Sequence, residues 1–175
     1  MSIRTRYDAA PTFSAYLETV EKNRDLWHSL YERARIPDEL VRATERLDGR
    51  WHLLALSEDW CGDAVNTLPV VARWAEELDH LDFRVLGRDE NPDLMDAHLT
   101  NGRSRSIPVV IVYDENFEEV GWWGPRPDVL QEFVLGEGRE LDPDERYRRV
   151  RRWYARDRGR TILEEILETF ERAAA

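Results

Sequence analysis

Between residues 51 and 135 short apolar runs alternate with segments of helical periodicity, and that order restricts the fold more than any other feature of the chain. The runs Trp51–Ser57, 82–88 and Val109–Tyr113 have the length and apolar content of strands, and 117–123 returns from Val109–Tyr113 across the turn Asp114-Glu115-Asn116. Segments 64–78, 91–100 and Asp128–Leu135 carry apolar residues at helical spacing; Asn91-Pro92 opens the second and Asn101-Gly102 stops it. The order is strand, helix, strand, helix, strand, strand, helix. Right-handed crossovers joining the first three strands, followed by a hairpin, predict an α/β fold: a central mixed sheet, βαβαββα, covered by helices.

Helical segments flank this core. Residues 12–35 place Phe13, Tyr16, Leu17, Val20, Trp27, Leu30, Tyr31 and Ala34 at three- and four-residue steps, which predicts one long amphipathic helix ended by Pro37. A shorter helix over 38–47 follows, then the turn Asp48-Gly49. After Gly136, Asp142-Pro143 opens a helix with Tyr147, Val150 and Tyr154 on one face, and Gly159 separates it from a last helix over 161–173. The expected organisation is one domain, 1–175, with an N-terminal helical extension (1–48), a core (51–135) and a C-terminal helical extension (136–175). The stripe Ile162, Leu163, Ile166, Leu167 and Phe170 packs on the domain, the commoner outcome, or pairs with a second copy in a homodimer.

Hydrophobic residues make up 42% of the chain and aromatic residues 10%, enough to fill one core at this length. A net charge of −11 argues against nucleic acid and anionic membrane as partners, because both recruit positive surfaces. No run approaches a membrane span and residues 1–11 lack the apolar core of a signal peptide, so the expectation is a cytoplasmic protein. The four histidines, His28, His52, His80 and His98, have no metal-ligand spacing with each other or with the one cysteine, so no metal and no cofactor are expected. Eight arginines lie between Arg146 and Arg160, interleaved with Asp144, Glu145 and Asp157, and read as a solvated, ion-paired helix face.

That cysteine, Cys61, lies where the first strand gives way to the first core helix, in the sequence Trp60-Cys61-Gly62-Asp63-Ala64. Unpaired amides and the positive end of the helix dipole favour a thiolate at such a junction. Glu58, Asp59 and Asp63 oppose it by like charge. No intramolecular disulfide can form with a single cysteine, which suits a reducing compartment. Trp122 and Trp123 end the returning strand, where they could line a substrate groove with Trp123 and Gly124 as the contacts, although alternation puts one of the two tryptophans in the core.

The core resembles a thioredoxin-like domain, and the whole chain resembles a bacterial branch of that superfamily with added terminal helices. Three matches carry the resemblance: Trp60-Cys61-Gly62 at the strand-to-helix junction, Pro69 eight residues after Cys61 where thioredoxins have a helix-kinking proline, and Ile107-Pro108 before a strand, where they have a cis-proline facing the sulfur. Gly124-Pro125-Arg126-Pro127 and Trp153-Tyr154-Ala155-Arg156-Asp157 also resemble that branch. Two departures limit what the resemblance implies. Ala64 replaces the second cysteine and Ala55 the buried aspartate that assists proton transfer, so a dithiol cycle is ruled out. The resemblance implies a monothiol site in which Cys61 forms a mixed disulfide with a protein client carrying a thiol or disulfide, and glutathione or another small thiol resolves it. Arg103 and Arg105, in the loop before Pro108, would restore positive charge or grip a carboxylate of that thiol. The alternative is a binding module that keeps the fold without redox turnover.

Overall fold

Five apolar residues with His52 and Ser57 among them, Trp51–Ser57, form the central strand β1, and all seven are buried. A strand covered on both faces needs such a run because neither side meets water. In the computed structural model, which describes all 175 residues, β1 pairs in parallel with β2 (Leu81–Gly87) and antiparallel with β3 (Val109–Tyr113). The hairpin partner β4 (Glu119–Trp123) completes the order β2-β1-β3-β4. Helix α5 (Gly62–Glu76) joins β1 to β2, α6 (Pro92–Ala97) lies between β2 and β3, and α7 (Asp128–Leu135) follows β4. This is the α/β order expected from the sequence, a mixed sheet flanked by helices.

One connection differs from the expectation. The first three strands are not all joined by parallel crossovers, since β3 runs antiparallel to β1. A parallel third strand requires a connection that returns along the whole sheet. The segment after β2 holds only the six-residue α6 and a loop pinned by the Thr100–Ser104 bridge, so the chain re-enters from the end at which β2 left. The pairing Leu56↔Val109 then sets Ile107 and Pro108 beside the end of β1 and the start of α5.

The N-terminal segment is corrected as well. Residues 12–35 form two helices, α2 (Phe13–Thr19) and α3 (Arg24–Arg33), preceded by an unanticipated α1 (Ile3–Ala9). Asp59 makes the break: its Oδ2 accepts the backbone N–H groups of Glu21 and Lys22, both at 2.9 Å, and its carbonyl accepts Nε1–H of Trp27 at 3.0 Å. Asn23 turns the chain there with φ of 55°, a left-handed conformation asparagine tolerates. The apolar periodicity survives because Phe13, Leu17 and Trp27 enter one core. Helix α4 (Asp38–Glu45) completes this end; α6 stops at Ala97, short of Thr100, and β4 starts after Phe117, which sits at φ 63° in the turn.

At the C-terminus a 3-10 turn, Glu137–Glu140, leads into α8 (Pro143–Asp157) and α9 (Arg160–Ala174). The apolar stripe of α9 is buried within this one chain, against β4 and α4. Phe170 meets Trp51 and Trp74 edge-on, with centroids 5.0 and 5.8 Å away. No helix is long and apolar enough to cross a membrane.

Candidate active site

Cys61 is the N-cap of α5. Its Sγ accepts the Ala64 N–H at 3.4 Å and its thiol donates to the Ile107 carbonyl, also at 3.4 Å. The Ile107–Pro108 peptide is cis. Ala64 is fully buried, so a methyl group and an amide stand where a thioredoxin has its second sulfur. Ala55, in the middle of β1 opposite Val85 and Val110, is equally buried and brings no carboxylate beneath the thiol.

Cys61 is 7% exposed. Burial is the largest influence on it and pushes the thiol pKa above its ordinary value; the Ala64 amide opposes, the Asp63 carboxylate adds to the rise, and the Asp63 amide and Arg126 lower it. The bond to the Ile107 carbonyl acts in the same direction as burial, because only the protonated thiol can make it. Proximity to the helix end therefore does not prevail over desolvation, and the resting group is a thiol.

Of the three acids flanking Cys61 in sequence, two are occupied elsewhere. Asp59 holds the α2–α3 break, and Glu58 Oε1 accepts the Asp89 amide at 3.0 Å. Asp63 is the one that bears on the sulfur, and it belongs to a half-buried cluster assembled from distant segments. Its Oδ2 pairs with Arg126 at 2.8 Å and its Oδ1 accepts the Tyr154 hydroxyl at 2.7 Å. Arg126 also donates to Gln131 Oε1 at 2.7 Å. Burial, then the Asp63 charge, raises the Tyr154 pKa far beyond the usual phenol range, so Tyr154 remains a hydrogen donor. Arg126 and Tyr154 lie within the two sequence phrases noted above; their shared partner was not legible there.

Arg105 pairs with Asp96 at 2.7 Å, and Arg103 is exposed at the loop tip with no ion pair. The cation that acts on the thiol is Arg126, not either of these. Trp123 is the core member of the tryptophan pair and donates Nε1–H to Glu165 at 2.6 Å; Trp122 is half-buried against His98. Gly124 lies against the proline loop: a Cβ there would come within 2.2 Å of the Pro108 carbonyl oxygen, and its φ is +138°. The Gly124–Pro125 peptide is also cis. Trp60 is 52% exposed beside Cys61, with the Arg88 guanidinium 5.3 Å from its ring. Arg88 in turn donates to the Arg105 carbonyl at 3.2 Å, so the indole and the proline loop share one face. No group of three or more His, Cys, Asp or Glu residues is placed to hold a metal ion.

A family model described as thioredoxin matches residues 10–148, which spans the sheet, Cys61, Pro108 and most of the flanking helices. The chain belongs to this thioredoxin family. No curated protein matches it. Among solved structures it is similar in fold to a protein of unknown function from Pseudomonas aeruginosa, with TM-score 0.77, 18% identity and 99% of each chain covered. An HIV epitope scaffold matches with TM-score 0.77 and 17% identity over 98% of each chain. Within this thioredoxin fold, Asp63, Arg126 and Tyr154 occupy the wall beside the sulfur.

Proposed function

We propose that this thioredoxin-family protein performs monothiol thiol–disulfide exchange through Cys61. The observation that carries the reading is the seat of Sγ: at the N-cap of α5, 3.4 Å from the Ala64 amide, facing the cis Ile107–Pro108 loop. The Cys61 thiolate attacks one sulfur of a client disulfide or glutathionylated thiol, forming a new S–S bond and expelling the other sulfur as a thiolate that takes a proton from solvent. A small external thiol such as glutathione then attacks the mixed disulfide, regenerates Cys61 and leaves as its own disulfide with the transferred group. The exposed loop leading to Pro108, at Ser104 and Arg105, and the exposed Trp60 ring offer the client a docking surface.

The raised thiol pKa slows this chemistry without abolishing it. Each unit of rise lowers the thiolate fraction tenfold at neutral pH, but intrinsic nucleophilicity grows roughly threefold, for a net loss of about threefold per unit. Burial of the thiol favours the second reading, a binding module without turnover. Intact mass after incubation with oxidised glutathione separates them. Exchange predicts one glutathione on the wild-type chain, faster as pH rises, removed by excess reduced thiol and absent from Cys61→Ser. A chain that stays unmodified even near pH 9, about where a free cysteine is largely ionised, is a binding module.

A further inference from the structure

A cavity of about 550 Å³ opens between α3, the middle of α5 and the end of α8. Its floor is apolar, built from Leu26 and Leu30 of α3 and Pro69 and Val70 of α5. Gly159 makes the close approach at one end: a Cβ there would lie 2.6 Å from Val70, and φ is +82°. Four arginines line it, Arg33, Arg35, Arg151 and Arg158, and no acidic residue does.

That composition is unusual for a chain of net charge −11. Three of the eight arginines from Arg146 to Arg160 are ion-paired: Arg148 and Arg149 with Glu145, Arg149 also with Glu137, and Arg160 with Glu39 and Glu164; Arg146, Arg152 and Arg156, which lie outside the cavity, have no ion pair. The ion-paired face expected from the sequence is thus confined to these three, with Asp144 and Asp157 pairing with no arginine. None of the cavity's four arginines has a carboxylate within 4 Å; Arg33 and Arg35 donate only to backbone carbonyls, and Arg151 and Arg158 make no side-chain hydrogen bond. Arg158 is moreover held at φ 54°, a left-handed helix-end position that glycine or asparagine usually fills. By contrast, the adjoining cavity of about 620 Å³ beside α4, which shares Arg35, is lined by four acids, Glu32, Asp38, Glu45 and Glu77, against the three arginines Arg35, Arg42 and Arg73.

We propose that the Arg33–Arg35–Arg151–Arg158 cavity binds a small amphipathic oxyanion, a carboxylate or phosphate head on a hydrocarbon or aromatic body. Its volume falls in the range of small-molecule sites, roughly 300–1,000 Å³. Arginine forks match the paired oxygens of either head group, and the apolar floor takes the body. With no carboxylate of the chain within ion-pair reach, these exposed guanidinium forks are open to an incoming anion. Cys61 does not line this site and the binding does not depend on thiol chemistry, although Tyr154, the hydrogen donor to Asp63, lines it.

Calorimetric titration of the full chain with dodecanoate, dodecyl phosphate and neutral dodecanol tests it, with anionic phospholipid vesicles and an oligo-glutamate peptide as competing partners. Dodecanoate or dodecyl phosphate is expected to saturate one site, with dodecanol at least about tenfold weaker. The variant Arg151→Gln/Arg158→Asn, both exposed positions and the second compatible with the left-handed backbone, is expected to weaken the anion tenfold or more while leaving dodecanol unchanged. Leu26→Ser, on the exposed lip of the floor, weakens the anions and dodecanol alike, and Cys61→Ser changes nothing. Equal affinity for anion and alcohol, an anion affinity insensitive to the arginine variant, no saturation to about 1 mM, or binding confined to vesicles or to the peptide would overturn the proposal.

Discussion

Cys61 and Asp63 both stand at the first turn of α5 but take different partners. The sulfur takes one weak amide contact, whereas Asp63 is neutralised from outside the helix by Arg126 and Tyr154. The two charged members of the cluster act on the thiol with opposite signs: Asp63 holds its pKa up and Arg126 draws it down. Replacing either should move the thiol in opposite directions. With a chloroacetamide-type alkylating agent followed by mass spectrometry, wild-type modification rises as pH climbs above the usual cysteine range, because a raised pKa defers thiolate formation to higher pH. Asp63→Asn removes the repelling charge and leaves Arg126 in place; its rate at neutral pH should increase by about threefold or more. Arg126→Gln leaves Asp63 uncompensated and should slow the reaction below wild type at the same pH. Two variants that shift the rate in the same direction would mean that access, not charge, governs the sulfur.

At the scale of elements, the parts that the sequence specifies locally coincide with the structure and the parts specified from a distance do not. Strand β3 and helix α7 have the bounds expected, because Pro108 and the Asp114-Glu115-Asn116 turn enclose one apolar run and Pro127 and Gly136 enclose the other. The long helix expected over 12–35 is interrupted by a carboxylate 38 and 37 positions away from the amides it accepts. Periodicity cannot report that, since both halves keep their apolar residues in phase with the core. Asp59 thereby fixes the angle between α2 and α3 and, through Trp27, ties both to the turn that carries Cys61. Asp59→Ala should cost about 1–3 kcal/mol in urea unfolding, by analogy with a lost helix cap and unpaired amides. Asp59→Asn, whose side-chain oxygen can still accept both N–H groups, should recover at least half of that loss.

For the whole molecule, the terminal helices belong to the same core as the sheet: Tyr7, Trp27, Leu54, Trp74 and Phe170 form one continuous cluster. The candidate site shares this dependence on remote segments. Cys61 and Pro108 were legible as a pair because they lie in recognisable phrases, but the groups that set the sulfur's environment come from the β4–α7 corner and from α8, and nothing in a linear sequence joins positions 63, 126 and 154. Helix α9 braces that corner, since Glu165 accepts both Trp123 Nε1–H and the Asp128 amide, at 2.6 and 2.8 Å. Its apolar stripe faced two fates, the core or a second copy, and these differ in a measurable way. Phe170 is fully buried between Trp51 and Trp74. Phe170→Ala should therefore remove about 3–5 kcal/mol by leaving a cavity, which for a domain of this size lowers Tm by roughly 6–20 °C. A loss inside one chain leaves Tm independent of protein concentration, whereas a loss at a subunit interface makes it rise with concentration by mass action. Thermal denaturation of wild type and variant over a hundredfold range of concentration should give two flat lines separated by that interval; lines that slope upward would place the stripe between subunits.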